Sequence, residues 1–169
     1  MRPADGIPGP GRLAPVIAAA RRRKGTIGAS PMSDVRLELN DRCFGCGRDN
    51  PIGLRMRIER EGDEWVSRMI VPEHFEGWAG VAHGGFVCTI MDEVMAWAMR
   101  GAAYRSVTAR LNARFCKPVP VGGEITVRGS LVQRRGKLVK TRARVELADG
   151  TLAAEAEGSF IIIAEGVAG

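Results

Sequence analysis

The sequence predicts an α+β domain in which one long central helix is wrapped by an antiparallel sheet of five to six strands. Three observations predict it. Residues 81–101 form a stretch of helix length that is apolar on nearly every face from Phe86 onward, four runs of strand length follow it, and two shorter runs precede it. Short turn signals separate the last three runs, so they form a meander, and a helix this apolar needs a sheet to cover it.

Residues 1–31 are read as a disordered or weakly helical basic extension, and 32–169 as the folded domain. The extension is rich in Pro, Gly, Ala and Arg and has little apolar periodicity beyond the run Leu13 to Ala20. It holds six of the 25 Lys+Arg but one of the 19 Asp+Glu, so most of the formal charge of +6 sits there. The folded part is nearly neutral. Without aromatic interleaving or a binding motif this is a solvated charge run, so neither a nucleic-acid nor a membrane partner is expected. The basic cluster Arg21 to Lys24 follows the apolar run, the wrong order for a signal peptide, and Met32 is a second candidate start. No stretch reaches the length of a spanning helix, and the expectation is a cytoplasmic protein.

Cys43-Phe44-Gly45-Cys46 has the spacing of half a zinc site. The remaining Cys88 and Cys116 and the two histidines, His74 and His83, belong to other segments. A metal-free turn, with neither metal nor cofactor, is therefore expected; the alternative is one ion shared by the turns of two chains. Asp49 to Gly53 is dense in turn formers, and Leu54 to Ile58 alternates apolar and basic residues as a half-buried strand does. Trp65 to Val71 is a second strand, and Pro72 to Gly80 is a loop.

The helix places Val87, Ile90, Met91, Val94 and Trp97 at helical spacing with Ala96 and Ala98 between them, and it reads as covered on all sides. Arg100 complements the dipole at its C-terminal end, and Gly101 stops it. Gly84 and Gly85 leave the N–H groups of the first turn open to a carbonyl oxygen gaining negative charge. Asp92 and Glu93 are the only charges before Arg100. At about 1.5 Å of rise per residue, Gly84 and Asp92 stand about 12 Å apart, too far for one carbonyl group to touch both. If both serve one reaction, they come from different copies of the chain, and the working unit is a symmetric dimer with two composite sites.

Beyond the helix, Ser106 to Phe115, Glu124 to Arg134, Leu138 to Leu147 and Leu152 to Ile163 read as strands. The breaks Arg135-Gly136-Lys137 and Ala148-Asp149-Gly150 are hairpin turns.

Several motifs together resemble the hotdog-fold acyl-CoA thioesterases, in particular the phenylacetate-pathway-like branch. They are His83-Gly84-Gly85 opening the helix, an acid nine residues after that histidine, Phe115-Cys116-Lys117-Pro118-Val119-Pro120-Val121-Gly122 after the next strand, and Cys-Phe-Gly-Cys-Gly with Asn50-Pro51-Ile52-Gly53-Leu54 near the start. The resemblance runs from about Cys43 to Ile163. It implies a helix inside a curved sheet, dimers joined edge to edge with possible pairing of dimers into tetramers, and sites shared by both chains. It also implies hydrolysis of an acyl- or aryl-CoA thioester, with Asp92 at the position of the catalytic carboxylate and Gly84 at that of the oxyanion donor. Thr108 falls where a hydroxyl helps place the water or the carboxylate. A carboxylate enclosed by Ile90, Met91 and Met95 has its pKa pushed upward, which makes it a better base at neutral pH, acting on water or attacking the carbonyl directly.

The substrate-binding candidates are His83, Gly85, Gly77, Trp78, Lys117 and Arg135. Gly77 is a departure, because related enzymes often carry Asn or Gln six residues before the histidine; Glu76 by a backbone shift, or another group, would then do that work. Lys117 and Arg135 are candidates for the phosphates of coenzyme A, with Arg114, Arg134 and Lys137 behind them. Plainer readings stand beside these. Asp92 pairs with Arg110 or Arg114 to fix a dimer, Glu93 makes an ion pair or helix contact, His83 orders its loop, and Trp78, Trp97 and Phe86 are core or dimer packing. A non-catalytic acyl-CoA binder is the alternative function. A dehydratase is disfavoured, because the glutamate it needs fourteen residues after His74 is Cys88.

Overall fold

The computed structural model describes residues 41–166; the basic extension 1–31 and residues 32–40 lie outside them. The elements run β1 (Glu59–Glu61), β2 (Glu64–Ile70), a single 3-10 turn (Glu73–Phe75), β3 (Glu76–Trp78), β4 (Val81–Ala82), α1 (Gly84–Gly101), β5 (Tyr104–Phe115), β6 (Glu124–Arg135), β7 (Leu138–Leu147) and β8 (Leu152–Glu165). Six strands make one antiparallel sheet in the order β1-β2-β6-β7-β8-β5, and β3 and β4 pair separately. No helix among the described residues is long and apolar enough to cross a membrane.

The meander forms as read, with Val127 opposite Val145 and Val145 opposite Ala154. What the hairpin signals do not give is the place of β5, which crosses to the far side of the sheet and pairs only with β8. One whole side of a twelve-residue strand is left as an edge, and half of its side chains are exposed with none fully buried. An edge of that length exposes a row of backbone donors and acceptors that a second chain can use.

Leu54 to Ile58 is not a strand. Leu54 and Met56 give their N–H groups to the carbonyls of Phe44 and Gly45, so this segment pairs with the cysteine turn, and Arg55 has a left-handed φ of 52° that breaks the extension. The alternation was about burial: Met56 and Ile58 enter the core while the arginines face out. The first true strand, β1, begins at the next residue, Glu59.

The helix is also not covered on all sides. Phe86, Val87, Ile90, Met91, Val94, Met95, Ala98 and Met99 are buried, while Cys88, Thr89, Asp92, Glu93, Ala96, Trp97 and Arg100 remain half-buried. That is a 3.6-residue alternation, so a single sheet buries one face and leaves the other available. Two glycines set how closely the buried face approaches. A Cβ on Gly129 of β6 would lie 2.7 Å from the backbone carbonyl carbon of Val94, and one on Gly158 of β8 would lie 2.9 Å from Met95 Sδ. Cutting Ile90, fully buried in this layer, to Ala is expected to cost about 3 kcal/mol, read from urea denaturation.

Candidate active site and its surroundings

The first turn of α1 is fixed by His83. Its Nδ1 accepts from the Gly85 N–H at 2.9 Å, and its own N–H donates to the Phe75 carbonyl at 2.7 Å. His83 is thus a cap that orders the loop, and it occupies the Gly85 donor. Gly84 N–H is engaged by no capping side chain among the described residues. The Phe115 ring lies against Gly84, where a Cβ would be 3.5 Å from it, and Gly84, Val87, Phe115, Lys117 and Val119 line an open cleft of about 350 Å³.

Gly77 presents no group to this cleft. A Cβ there would come within 2.9 Å of His83 Cα, so the glycine is what allows the capping histidine to sit where it does. An Asn or Gln at this position would displace His83. Glu76 does not fill the role either, because its carboxylate accepts from the Gly80 N–H and closes its own loop. Trp78 is 83% exposed, so it is not core packing in the single chain, unlike Phe86, which is buried and stacks on Phe75.

Asp92 lies two turns further along the helix. Its Oδ1 accepts from Thr108 Oγ1 of β5 at 2.9 Å, joining two residues sixteen apart in sequence. Burial pushes the Asp92 carboxyl above the ordinary carboxylate range and nearby Glu93 adds to this, while the Thr108 hydroxyl pulls the other way. No ion pair to Asp92 is recorded among the described residues, and Arg114 pairs with Glu155 instead. Ile90, Met91 and Met95 are themselves fully buried, while Asp92 is half-buried.

Lys117 and Arg135 cannot hold one ligand within one chain. Arg135 stands opposite Leu138, Leu138 opposite Ile161, and Ile161 opposite Val107, whereas Lys117 follows Phe115 at the other end of β5. At about 3.3 Å per residue, the rows of Val107 and Phe115 are about 26 Å apart.

Glu93 makes no ion pair among the described residues. Its carboxylate receives the thiol of Cys43, at 3.6 and 3.7 Å, and it lies beside Cys46. Burial and the Glu93 carboxylate push the Cys46 thiol up to about 12. The metal-free reading of the turn counted only Cys and His as completing ligands and overlooked a helix carboxylate fifty residues on. No local pattern signals such a contact. Phe115 against Gly84 was missed for the same reason.

A helix laid across one face of an antiparallel sheet, entered through a capped glycine pair and carrying a half-buried acid, defines a hotdog-fold protein. Residues 79–154, from the loop before α1 to the start of β8, match the sequence model of the Thioesterase superfamily. The chain is 32% identical over 121 residues to the acyl-coenzyme A thioesterase THEM4 of Bos taurus, a match covering 70% of this chain and 50% of THEM4. It thus spans half the length of that relative. The crystal structure of another thioesterase superfamily protein superposes with a TM-score of 0.65 at 25% identity, covering 68% of this chain and 60% of that one. A hypothetical thioesterase from Streptococcus pneumoniae TIGR4, crystallised with coenzyme A, superposes with a TM-score of 0.63 at 18% identity, covering 66% and 88%.

Proposed function

We propose that the protein hydrolyses an acyl- or aryl-CoA thioester to the free acid and CoA, in the manner of the phenylacetate-pathway-like branch. The observation that carries this is the Asp92–Thr108 pair, a half-buried carboxylate with its pKa raised and its orientation fixed by a hydroxyl. Asp92 takes a proton from water as the oxygen adds to the thioester carbon, or it adds to that carbon itself. The carbonyl oxygen, now negative, is held by the Gly84 N–H. Collapse breaks the C–S bond; on the first route the proton held by Asp92 passes to the leaving thiolate, and on the second a water splits the acyl–Asp92 anhydride, its oxygen going to one of the two carboxyls and a proton to the thiolate. Single turnover in ¹⁸O-labelled water tests the second route, because only the anhydride can place label in the Asp92 carboxylate.

In one chain Asp92 and Gly84 stand about 12 Å apart along α1, so each site takes them from different protomers. The free edge of β5 supplies the means. Thr108 marks the row of Asp92 and Phe115 the row of Gly84, and antiparallel pairing of two β5 edges about a two-fold between Leu111 and Asn112 brings Thr108 beside the partner's Phe115. The same operation carries the Arg135 hairpin of one protomer toward the Lys117 cleft of the other. Both cations then reach one set of coenzyme A phosphates, while Trp78 and Gly85 border the acyl entry. No metal or cofactor takes part in this chemistry, and the domain 32–169 with its basic extension acts in the cytoplasm without nucleic acid or membrane.

Subunit complementation tests the reading. Asp92→Ala and Gly84→Val chains, each inactive alone, are mixed under denaturing conditions and refolded together. Random pairing makes half of the dimers mixed with one intact site each, so about a quarter of the wild-type thiol release returns. No recovery from a mixture shown to contain heterodimers removes the composite site. Thr108→Val is expected to lower kcat about tenfold. Since the Thr108 hydroxyl holds the Asp92 carboxyl down, its loss raises that pKa and moves the acid limb of the kcat/KM profile to higher pH. An unmoved limb separates Thr108 from the ionising group.

A non-catalytic acyl-CoA binder is the second reading, favoured by Gly77, where no side chain reaches the substrate. Tight binding of acyl-CoA without release of thiol from any ester tested supports it over hydrolysis.

A further inference from the structure

On the flank of α1 next to the proposed active site, two segments bring three ligating side chains together. Cys43 and Cys46 come from the N-terminal turn and Glu93 from the helix, and one donor atom of each lies within 4.8 Å of the others. We propose that this cluster is a zinc site, a Cys-Cys-Glu centre built within one chain that pins the turn onto α1, with water as the fourth ligand.

The spacing suits the ion. Zinc binds sulfur at about 2.3 Å and a carboxylate oxygen at about 2.0 Å, so a tetrahedral site separates its donors by about 3.5–3.8 Å. Cys43 Sγ already lies 3.6 and 3.7 Å from the two oxygens of Glu93, and closing on an ion asks only a small inward shift. Two sulfurs and one carboxylate form a donor set for a borderline-soft cation and a poor one for calcium or magnesium, which take oxygen ligands. All three residues are half-buried, so an ion can enter.

The backbone around the cluster holds the sulfurs in place. Gly47 N–H donates to the Cys43 carbonyl at 2.9 Å, and Phe44 and Gly45 carbonyls accept from Leu54 and Met56, so both cysteines are carried on a turn anchored to the core through Met56. The two glycines of the turn are there for contact. A Cβ on Gly47 would meet Asp41 O and Cys43 N at 2.4 Å, and one on Gly45 would meet Glu93 Oε2 at 2.3 Å. Gly45 is therefore what lets the carboxylate reach between the cysteines. Binding forms two Zn–S bonds and one Zn–O bond, and both thiol protons pass to solvent with no change of oxidation state.

The test uses the full chain, stripped of metal under reducing conditions and titrated with zinc against a chromogenic chelator. About one zinc per protomer is expected. Cobalt(II) in its place is expected to give thiolate-to-metal charge transfer and tetrahedral d–d absorption, with the charge-transfer intensity about halved in Cys43→Ser. Glu93→Gln keeps both sulfurs and is expected to weaken zinc at least about tenfold. In the unmutated chain, which leaves no question of folding, zinc is expected to slow alkylation of Cys43 and Cys46 while Cys116 reacts as before. The proposal is overturned by no uptake at equimolar zinc, by one zinc per two protomers, which means an ion shared between copies, or by unchanged affinity in Glu93→Gln. These outcomes are independent of thioester hydrolysis, which uses Asp92 and Gly84.

Discussion

Replacing Asp92 by Asn is expected to lower kcat/KM for an acyl-CoA ester by about 10³-fold and at the same time to raise the melting temperature at neutral pH. The first effect follows from removing the half-buried carboxylate that β5 orients with a hydroxyl, in the proposed role of base or nucleophile. The second follows from its ionisation. Burial raises the folded-state pKa above the unfolded one, so the fold favours the protonated acid. Stability from this group is fully present below the unfolded value and is lost as pH rises through the folded value. At about pH 7.5 the wild type bears the cost of a desolvated charge and the Asn chain does not; at about pH 4 the two converge. Melting curves at both pH values, beside thiol release, check the pair of effects. Wild-type turnover in a folded Asp92→Asn chain would remove Asp92 from the mechanism, and a lower melting temperature at neutral pH would contradict the desolvation account.

Gly129→Ala is expected to destabilise the protein by about 2–3 kcal/mol. The new Cβ falls 2.7 Å from the carbonyl carbon and 2.8 Å from the carbonyl oxygen of Val94, both backbone atoms that no rotamer change can move. The helix must rise from the sheet and loosen Ile90, Val94 and Met95 together. Gly136→Ala in the β6–β7 turn is the control. Its φ of 59° strains any other residue, but a Cβ there meets nothing within 4 Å, so about 1 kcal/mol is expected. Urea denaturation separates the two, and an equal loss in both variants would show that backbone strain, and not helix-sheet contact, governs these glycines.

Much of the chain could be read directly. The four strands after the helix and their hairpins were legible because alternation and turn chemistry are local, and the helix because its apolar residues recur at helical spacing over eighteen residues. Leu54 to Ile58 misled because a residue pattern reports which side chains are buried, not which backbone accepts its N–H groups. Local alternation is the same whether the partner is a strand or a turn. The all-round burial of α1 misled differently: Cys88, Ala96 and Trp97 are apolar enough for a core, yet one protomer's sheet covers one face only.

Sequence by itself determined the class of fold, the limits of α1 and the pairing of β6, β7 and β8, because each depends on propensity and periodicity within a few residues. It also singled out Gly84, in a glycine pair opening an apolar helix, and the adjacent acids Asp92 and Glu93, between which the resemblance to the thioesterases chose Asp92. Tertiary structure decided the rest: that Thr108 meets Asp92, that Gly77 makes room for His83, that β5 is a bare edge, and that Glu93 closes on Cys43 and Cys46. Each of these joins separate elements of the fold, and the choice among such partners is made by packing and register, which no local pattern encodes.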